Sequence, residues 1–136
     1  MTINQIQDKI IEEFSELNDG VDKYQYIVNL GKSLELLNEK YKTEEYLISG
    51  CQSNVWLKAE ILGGKIHFSA DSDSLIIKGI ISMLLRVVNN QSPADILNNE
   101  LYFINRTGLS SNLSPARGNG LFSMISQIKT FAENCR

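Results

Sequence analysis

Cysteine is scarce in this 136-residue chain, which has two, at positions 51 and 135. Two are too few for a disulfide-stapled scaffold. Histidine is scarcer still, with His67 alone, so neither a multi-histidine metal site nor a zinc ribbon can be assembled. There is no Pro/Gly/Ser-rich linker and no internal repeat. No apolar run reaches the roughly 18 to 20 residues that a membrane helix needs. An excess of base is also missing: 13 Lys and Arg face 16 Asp and Glu, a net charge of −3. That sign repels a phosphate backbone and argues against nucleic acid as a partner. The opening residues, Met1-Thr2-Ile3-Asn4-Gln5-Ile6-Gln7-Asp8, hold neither a basic region nor an apolar core. A secretory signal is therefore not expected, and a reducing cytoplasm is.

What is present is ordinary for one globular domain over residues 1–136: 43% hydrophobic and 21% charged residues. The charge is uneven. Residues 1–70 carry a net −4 and residues 71–136 a net +1. A docking surface for a charged partner and a solvated first helix pair both account for this.

Hydrophobic spacing predicts helices at both ends and a hairpin between them. Ile3, Ile6, Ile10, Phe14 and Leu17 recur at three- and four-residue steps, an amphipathic helix with Thr2 and Gln5 at capping-box spacing. Gly20 is expected to end it. Asp22 and Gln25 have the spacing of a second box, with Val21 and Tyr26 as its staple, before a helix that buries Tyr26, Ile27, Leu30 and Leu34. Residues 38–45 are polar and read as a loop. Val55, Leu57, Ala59 and Ile61 then alternate with Trp56, Lys58, Glu60 and Leu62, and Gly63-Gly64 is a two-residue turn signal. That turn sets Leu62 against Lys65, Ile61 against Ile66, Glu60 against His67, Ala59 against Phe68 and Leu57 against Ala70, which sorts one face as wholly apolar. Leu47 and Ile48 are expected as a short third strand. Asp71-Ser72-Asp73-Ser74 offers several N-caps for a helix over 75–88 whose clearly polar stripe is Lys78, Ser82 and Arg86; so apolar a helix belongs at the centre. Short helices follow at Ser92-Pro93 and between Leu101 and Gly108, and a last one opens at Ser114-Pro115 and buries Leu121, Met124, Ile125, Ile128 and Phe131. The expected fold is α+β, a small antiparallel three-stranded sheet covered by helices.

Cys51 stands between Gly50 and the first long strand, at a loop tip or strand start. A small buried hydrophobe and a functional thiol both fit that position. Cys135 continues the apolar stripe of the last helix. His67 is a poor base for Cys51: its partner Glu60 lies nine residues along the strand, roughly 30 Å away at ~3.3 Å per residue. A Cys-His hydrolase is thus not expected, and His67 reads as a cross-strand neighbour of Glu60. No metal-ligand spacing and no Walker or Rossmann phosphate loop is present. The glycines of Arg117-Gly118-Asn119-Gly120, at a helix start, fit the close approach of either a packed neighbour or a partner.

Gly50-Cys51-Gln52-Ser53, followed by Val55-Trp56-Leu57, resembles the active-cysteine segment of the SufE family of cysteine desulfuration proteins. Four further segments resemble that family in the same order. They are Tyr24-Gln25-Tyr26-Ile27-Val28-Asn29-Leu30-Gly31, Asp71-Ser72-Asp73 with Ile77-Lys78-Gly79, Ser92-Pro93-Ala94-Asp95-Ile96, and Leu113-Ser114-Pro115-Ala116-Arg117 with Asn119-Gly120-Leu121. The resemblance implies a SufE/IscU-like fold and a sulfur acceptor, not an enzyme in its own right. Cys51 would take persulfide sulfur from a pyridoxal-phosphate cysteine desulfurase of the SufS type, stimulate that enzyme, and deliver the sulfur to a SufBCD-like scaffold complex for iron–sulfur cluster assembly. It implies no cofactor of the chain's own, since the pyridoxal phosphate belongs to the desulfurase, and no metal site. Gly50, Gln52 and Ser53 would shape the cysteine loop. Arg117 would contact the loop or the partner. The hairpin register, with Leu57 facing Ala70 and the chain before Leu57 running toward Cys51, sets Asp71 and Asp73 near the cysteine as well, helix capping being the other reading of the two acids. A CsdE-type acceptor serving a different desulfurase, a non-covalent adaptor of the desulfurase, and a monomer or a homodimer all remain compatible with the motifs.

Overall fold

The computed structural model describes residues 1–17, 20–34, 37–48, 54–107 and 115–135, with the backbone alone at 20, 21 and 115–120. Its elements are α1 (Ile3–Ser15), α2 (Gly20–Lys32), a 3-10 turn (Glu39–Tyr41), β1 (Val55–Leu62), β2 (Lys65–Ser72), α3 (Leu75–Val88), α4 (Pro93–Asn98), α5 (Phe103–Arg106) and α6 (Pro115–Asn134).

Thr2 caps α1 by the expected box: its side chain accepts from Gln5 N–H, and the Gln5 side chain accepts from Thr2 N–H. Gly20 does not end this helix. α1 stops at Ser15, and Gly20 opens α2 instead. Asp22 therefore sits inside the first turn of α2 and not at its N-cap, where its charge opposes the positive end of the helix dipole. The expected loop over 38–45 contains the 3-10 turn, capped by the Asn38 side chain accepting from Lys40 N–H.

The hairpin register is the expected one and runs two pairs further, to Trp56 against Asp71 and Val55 against Ser72. Asp71 and Ser72 thus belong to β2, and Ser74 is the N-cap of α3, accepting from Ile77 N–H. Gly63 and Gly64 have φ of +58° and +79°, the left-handed pair of a type I′ turn. On the apolar face Ile66, Phe68 and Ala70 are buried, but Ile61 is 46% exposed. The outer end of the hairpin runs past the helices that cover its base. The expected third strand reduces, among the described residues, to one bridge between Leu47 and Trp56, and the sheet has two strands. β2's other edge is covered at Ile66 and Phe68 by the residues that follow α3. Ile66 N–H donates to Gln91 O and Asn90 N–H to Ile66 O, while the Asn89 amide both accepts from Phe68 N–H and donates to Phe68 O. Covering an edge in this way removes a template for aggregation.

α3 is the central element. Residues on most of its circumference are buried, and α1, α2 and β2 all pack on it. α2 crosses it at paired glycines, Gly31 and Gly79. α1 is joined to it at the surface by Glu13, whose carboxylate accepts two hydrogen bonds from Arg86 (3.0 and 2.8 Å) and one from the Tyr26 hydroxyl (2.6 Å). The Arg86 bonds, against burial and with help from Tyr26, hold the Glu13 carboxyl down at about 2, while burial and then Glu13 push Tyr26 up to about 12.

Glu13→Gln is expected to cost about 1 kcal/mol at pH 7, the scale of a bidentate but part-exposed pair. The folded carboxyl lies below its unfolded value, so this contribution is full above about pH 4.5 and disappears as pH falls toward 2. Urea unfolding of both proteins across that range should show the gap closing on acidification; a gap independent of pH would refute the account.

Candidate functional site

Gly50, Cys51, Gln52 and Ser53 lie outside the described residues, as does the side chain of Arg117, whose backbone is in the first turn of α6. The structure does describe the ground on which the cysteine segment stands. On its N-terminal side Ile48 N–H donates to Val55 O (2.8 Å), and Leu57 N–H donates to Tyr46 O (2.9 Å). The chain therefore leaves the sheet at Ile48 and re-enters beside it at Val55.

The return is held by the end of β2. Asn54 N–H donates to Asp73 Oδ1 (3.1 Å), Asp73 N–H donates to Asn54 O (3.3 Å), and the Ser72 hydroxyl donates to Asn54 O (2.7 Å). Asp73 is exposed and bonded three residues from Cys51. Asp71 is different. Pairing with Trp56 turns its side chain inward, where it is 2% exposed. It accepts from Ser72 N–H (2.8 Å) and pairs with Lys42 (3.2 Å) and Lys78 (3.4 Å). Burial pushes the Asp71 carboxyl up, but the Ser72 N–H and the two ammonium groups more than offset it and leave it below its ordinary value. Lys42, held above its ordinary value by Glu39 and Asp71, also lies over the Trp56 ring at 5.8 Å. The triad thus ties the segment before the cysteine, the end of β2 and the start of α3 into one base.

Sequence reasoning missed Lys42 and the task of Lys78. The signal for Lys78 was present in the polar stripe of α3, whose three members serve three ends: Lys78 meets Asp71, Ser82 faces a cavity, and Arg86 meets Glu13.

Asp71→Asn is expected to cost about 2 kcal/mol at pH 7. Breaking a buried pair costs more, but these two lysines keep about a fifth of their side-chain surface in water and are partly resolvated. The folded carboxyl is depressed, so the wild-type advantage is present above about pH 4 and is lost as pH falls below it. Thermal unfolding at pH 7 and pH 3 reads this directly; equal losses at both would point to packing and not to charge.

His67 lies next to the turn, opposite Glu60, at the end of β1 remote from Asn54. Six residues along the strand separate Asn54 from Glu60, about 20 Å, so the imidazole lies far from the root of the cysteine segment at Asn54. Beyond Ile48 the surface holds a hollow of about 310 Å³ lined by Ile48, Phe122, Ser123, Ser126 and Gln127, with Phe122 74% exposed. No cluster of His, Cys, Asp and Glu among the described residues could hold a metal ion. None of the described helices is long and apolar enough to cross a membrane.

These features define an α+β domain with helices on a small antiparallel hairpin, and a cysteine-bearing segment rooted between Ile48 and Asn54. The chain belongs to the SufE family: residues 8–132 match it, under the description Fe-S metabolism associated domain. An uncharacterised SufE-like protein of Rhizobium etli is 35% identical over 131 residues, covering 93% of this chain and 88% of that one. Similar proteins of Rhizobium meliloti (34% over 131 residues; 93% and 94% covered) and Synechocystis sp. (32% over 124 residues; 91% and 78% covered) are also described as SufE-like. The solution structure of a hypothetical protein from Thermus thermophilus shares the fold, with a TM-score of 0.78 over 96% of this chain and 95% of the other at 17% identity.

Proposed function

We propose that this protein is a sulfur carrier whose Cys51 accepts persulfide sulfur from a SufS-type cysteine desulfurase and passes it to an iron–sulfur scaffold complex. The observation that carries the reading is membership of a family tied to iron–sulfur metabolism, in a chain with a cysteine segment, Gly50 to Ser53, rooted at both ends in the sheet. The Cys51 thiolate attacks the outer sulfur of the partner's persulfide. A new S–S bond forms on Cys51, the partner's S–S bond breaks, and its cysteine leaves as thiolate, so no external oxidant or reductant is needed. Each partner brings its own cysteine and the desulfurase its own pyridoxal phosphate. The exposed Phe122 beside Ile48 offers an apolar contact for that partner.

Delivery requires the segment to move, with Gly50 as hinge and Gln52 and Ser53 shaping it. Arg117, at the start of α6, contacts the loop or the partner. Asp73 holds Asn54 at the near end, whereas Asp71 acts from below through Lys42 and Lys78. Asp73→Ala is accordingly expected to speed hydrogen exchange of the Asn54 amide about tenfold, the loss of one charge-assisted bond. An unchanged rate would remove Asp73 from this role.

The test is to mix the protein with an active SufS-type desulfurase and free cysteine, quench, and map the intact mass. One or more sulfur atoms on Cys51, released by reductant, are expected. An unmodified Cys51 beside a stimulated desulfurase would replace the carrier reading with that of an adaptor.

A further inference from the structure

A cavity of about 470 Å³ opens between the middle of β2, the C-terminal half of α3 and the 3-10 turn. Its floor is apolar, formed by Leu34, Leu37, Phe68 and Leu85, and its wall is polar. Size and lining are those of small-molecule sites.

The charge around it is one-sided. Among the described residues Lys58, His67 and Arg86 line it and no carboxylate does, in a chain whose net charge is −3. Arg86 is committed to Glu13. Lys58 is not: its ammonium lies 4.5 Å from the Tyr41 ring centroid and only loosely, at 3.7 Å, from Glu60.

Further polar groups meet there without described partners. The alternation that turns Ile66 and Phe68 outward, toward Asn89 to Gln91, turns Ala70 outward as well, and Ala70 is 2% exposed. Its N–H and C=O therefore point away from β1 on the side where the cavity lies, and no described residue bonds them. A buried peptide group left in that state is costly and is normally satisfied by water or a ligand. The hydroxyls of Ser69 and Ser82 and the His67 ring line the same space and make no hydrogen bond to described residues.

We propose that this cavity binds a small amphiphilic anion. The carboxylate or phosphate head would be held by Lys58, the serine hydroxyls and the Ala70 N–H, and the apolar body would lie on Leu34, Leu37, Phe68 and Leu85. The proposal does not depend on sulfur transfer. The 3-10 turn that walls the cavity is followed directly by Lys42, the partner of Asp71, so occupancy is placed to reach the base of the cysteine segment.

The experiment is a titration of the ¹⁵N-labelled full chain with phenyl phosphate, benzoate and neutral benzyl alcohol, followed by ¹H–¹⁵N spectra. The two anions are expected to give saturable shifts concentrated on the amides of Ser69, Ala70, Ser82 and Asn89, with benzyl alcohol much weaker. Lys58→Gln should weaken anion binding about tenfold, as loss of a charged hydrogen-bond donor does. Ser82→Leu, which fills the space, should abolish it in a protein whose remaining spectrum is unchanged. Equal shifts with benzyl alcohol, shifts scattered over the surface, no saturable shift, or full affinity in Lys58→Gln would each overturn the proposal. Lys58→Gln decides alone if Ser82→Leu fails to fold.

Discussion

Cys51→Ser is expected to lose all sulfur acceptance from the desulfurase and, with it, stimulation of that enzyme, while folding normally. The loss should be total because the reaction needs a thiolate at the attacking atom. A serine hydroxyl is un-ionised at neutral pH, and a sulfur–oxygen link would not pass sulfur onward by thiol exchange. Nothing described in the fold rests on this side chain: the core is built from α1, α2, α3, α6 and β2, and the segment's two ends are fixed by backbone bonds at Ile48 and Asn54. Cys135, half-buried at the end of α6, is the matched control. Cys135→Ser should accept sulfur as the wild type does. Peptide mapping after reaction separates the two sites. Retained stimulation in Cys51→Ser would mean that the protein acts on the desulfurase by binding alone.

Gly79→Ala is expected to be the most damaging single-methyl change. A Cβ on Gly79 would meet the Ile27 carbonyl oxygen, and would lie 2.5 Å from Ile27 Cγ2 and 2.7 Å from the Ile27 carbonyl carbon. Two of those atoms are backbone inside α2 and cannot turn aside, so the helices must separate. Gly31 answers from α2, where a Cβ would come within 2.7 Å of Leu75 O and 2.9 Å of Gly79 N. Separation would loosen the packing of Ile27 against α3, at the centre of the core. Overpacking of this kind costs about 3 kcal/mol, about 10 °C in a domain of this length. Circular dichroism melts of Gly79→Ala and Gly31→Ala would read it. A melting point within a degree or two of wild type would show that α2 can shift without loss.

The helix ends and the hairpin were largely legible in the chain, because their causes are local. The Thr2–Gln5 box, the Gly63-Gly64 turn and the strict alternation on both sides of it each act within a few residues, and together they allow one register. The central place of α3 followed from a circumference too apolar for a surface helix. Gly20 was misread because a glycine both ends and begins helices, and the turn between α1 and α2 decides which.

Periodicity by itself determined the class of fold, and the resemblance of the motifs around Cys51 pointed to the family. What each polar residue does was decided only in three dimensions. Asp71 reads as a helix cap in the sequence and becomes a buried acid because the hairpin runs two pairs further and brings Lys42 and Lys78 to it from 29 positions before and seven after. Asn89 reads as the end of a helix and serves as an edge partner of β2. Period fixes which face a side chain occupies, but not how deeply the face is covered, as Ile61 shows beside Ile66. Depth and charge pairing depend on elements that are distant along the chain, and it is their packing that turns a row of separate motifs into a base at Asn54 and a cavity beside β2.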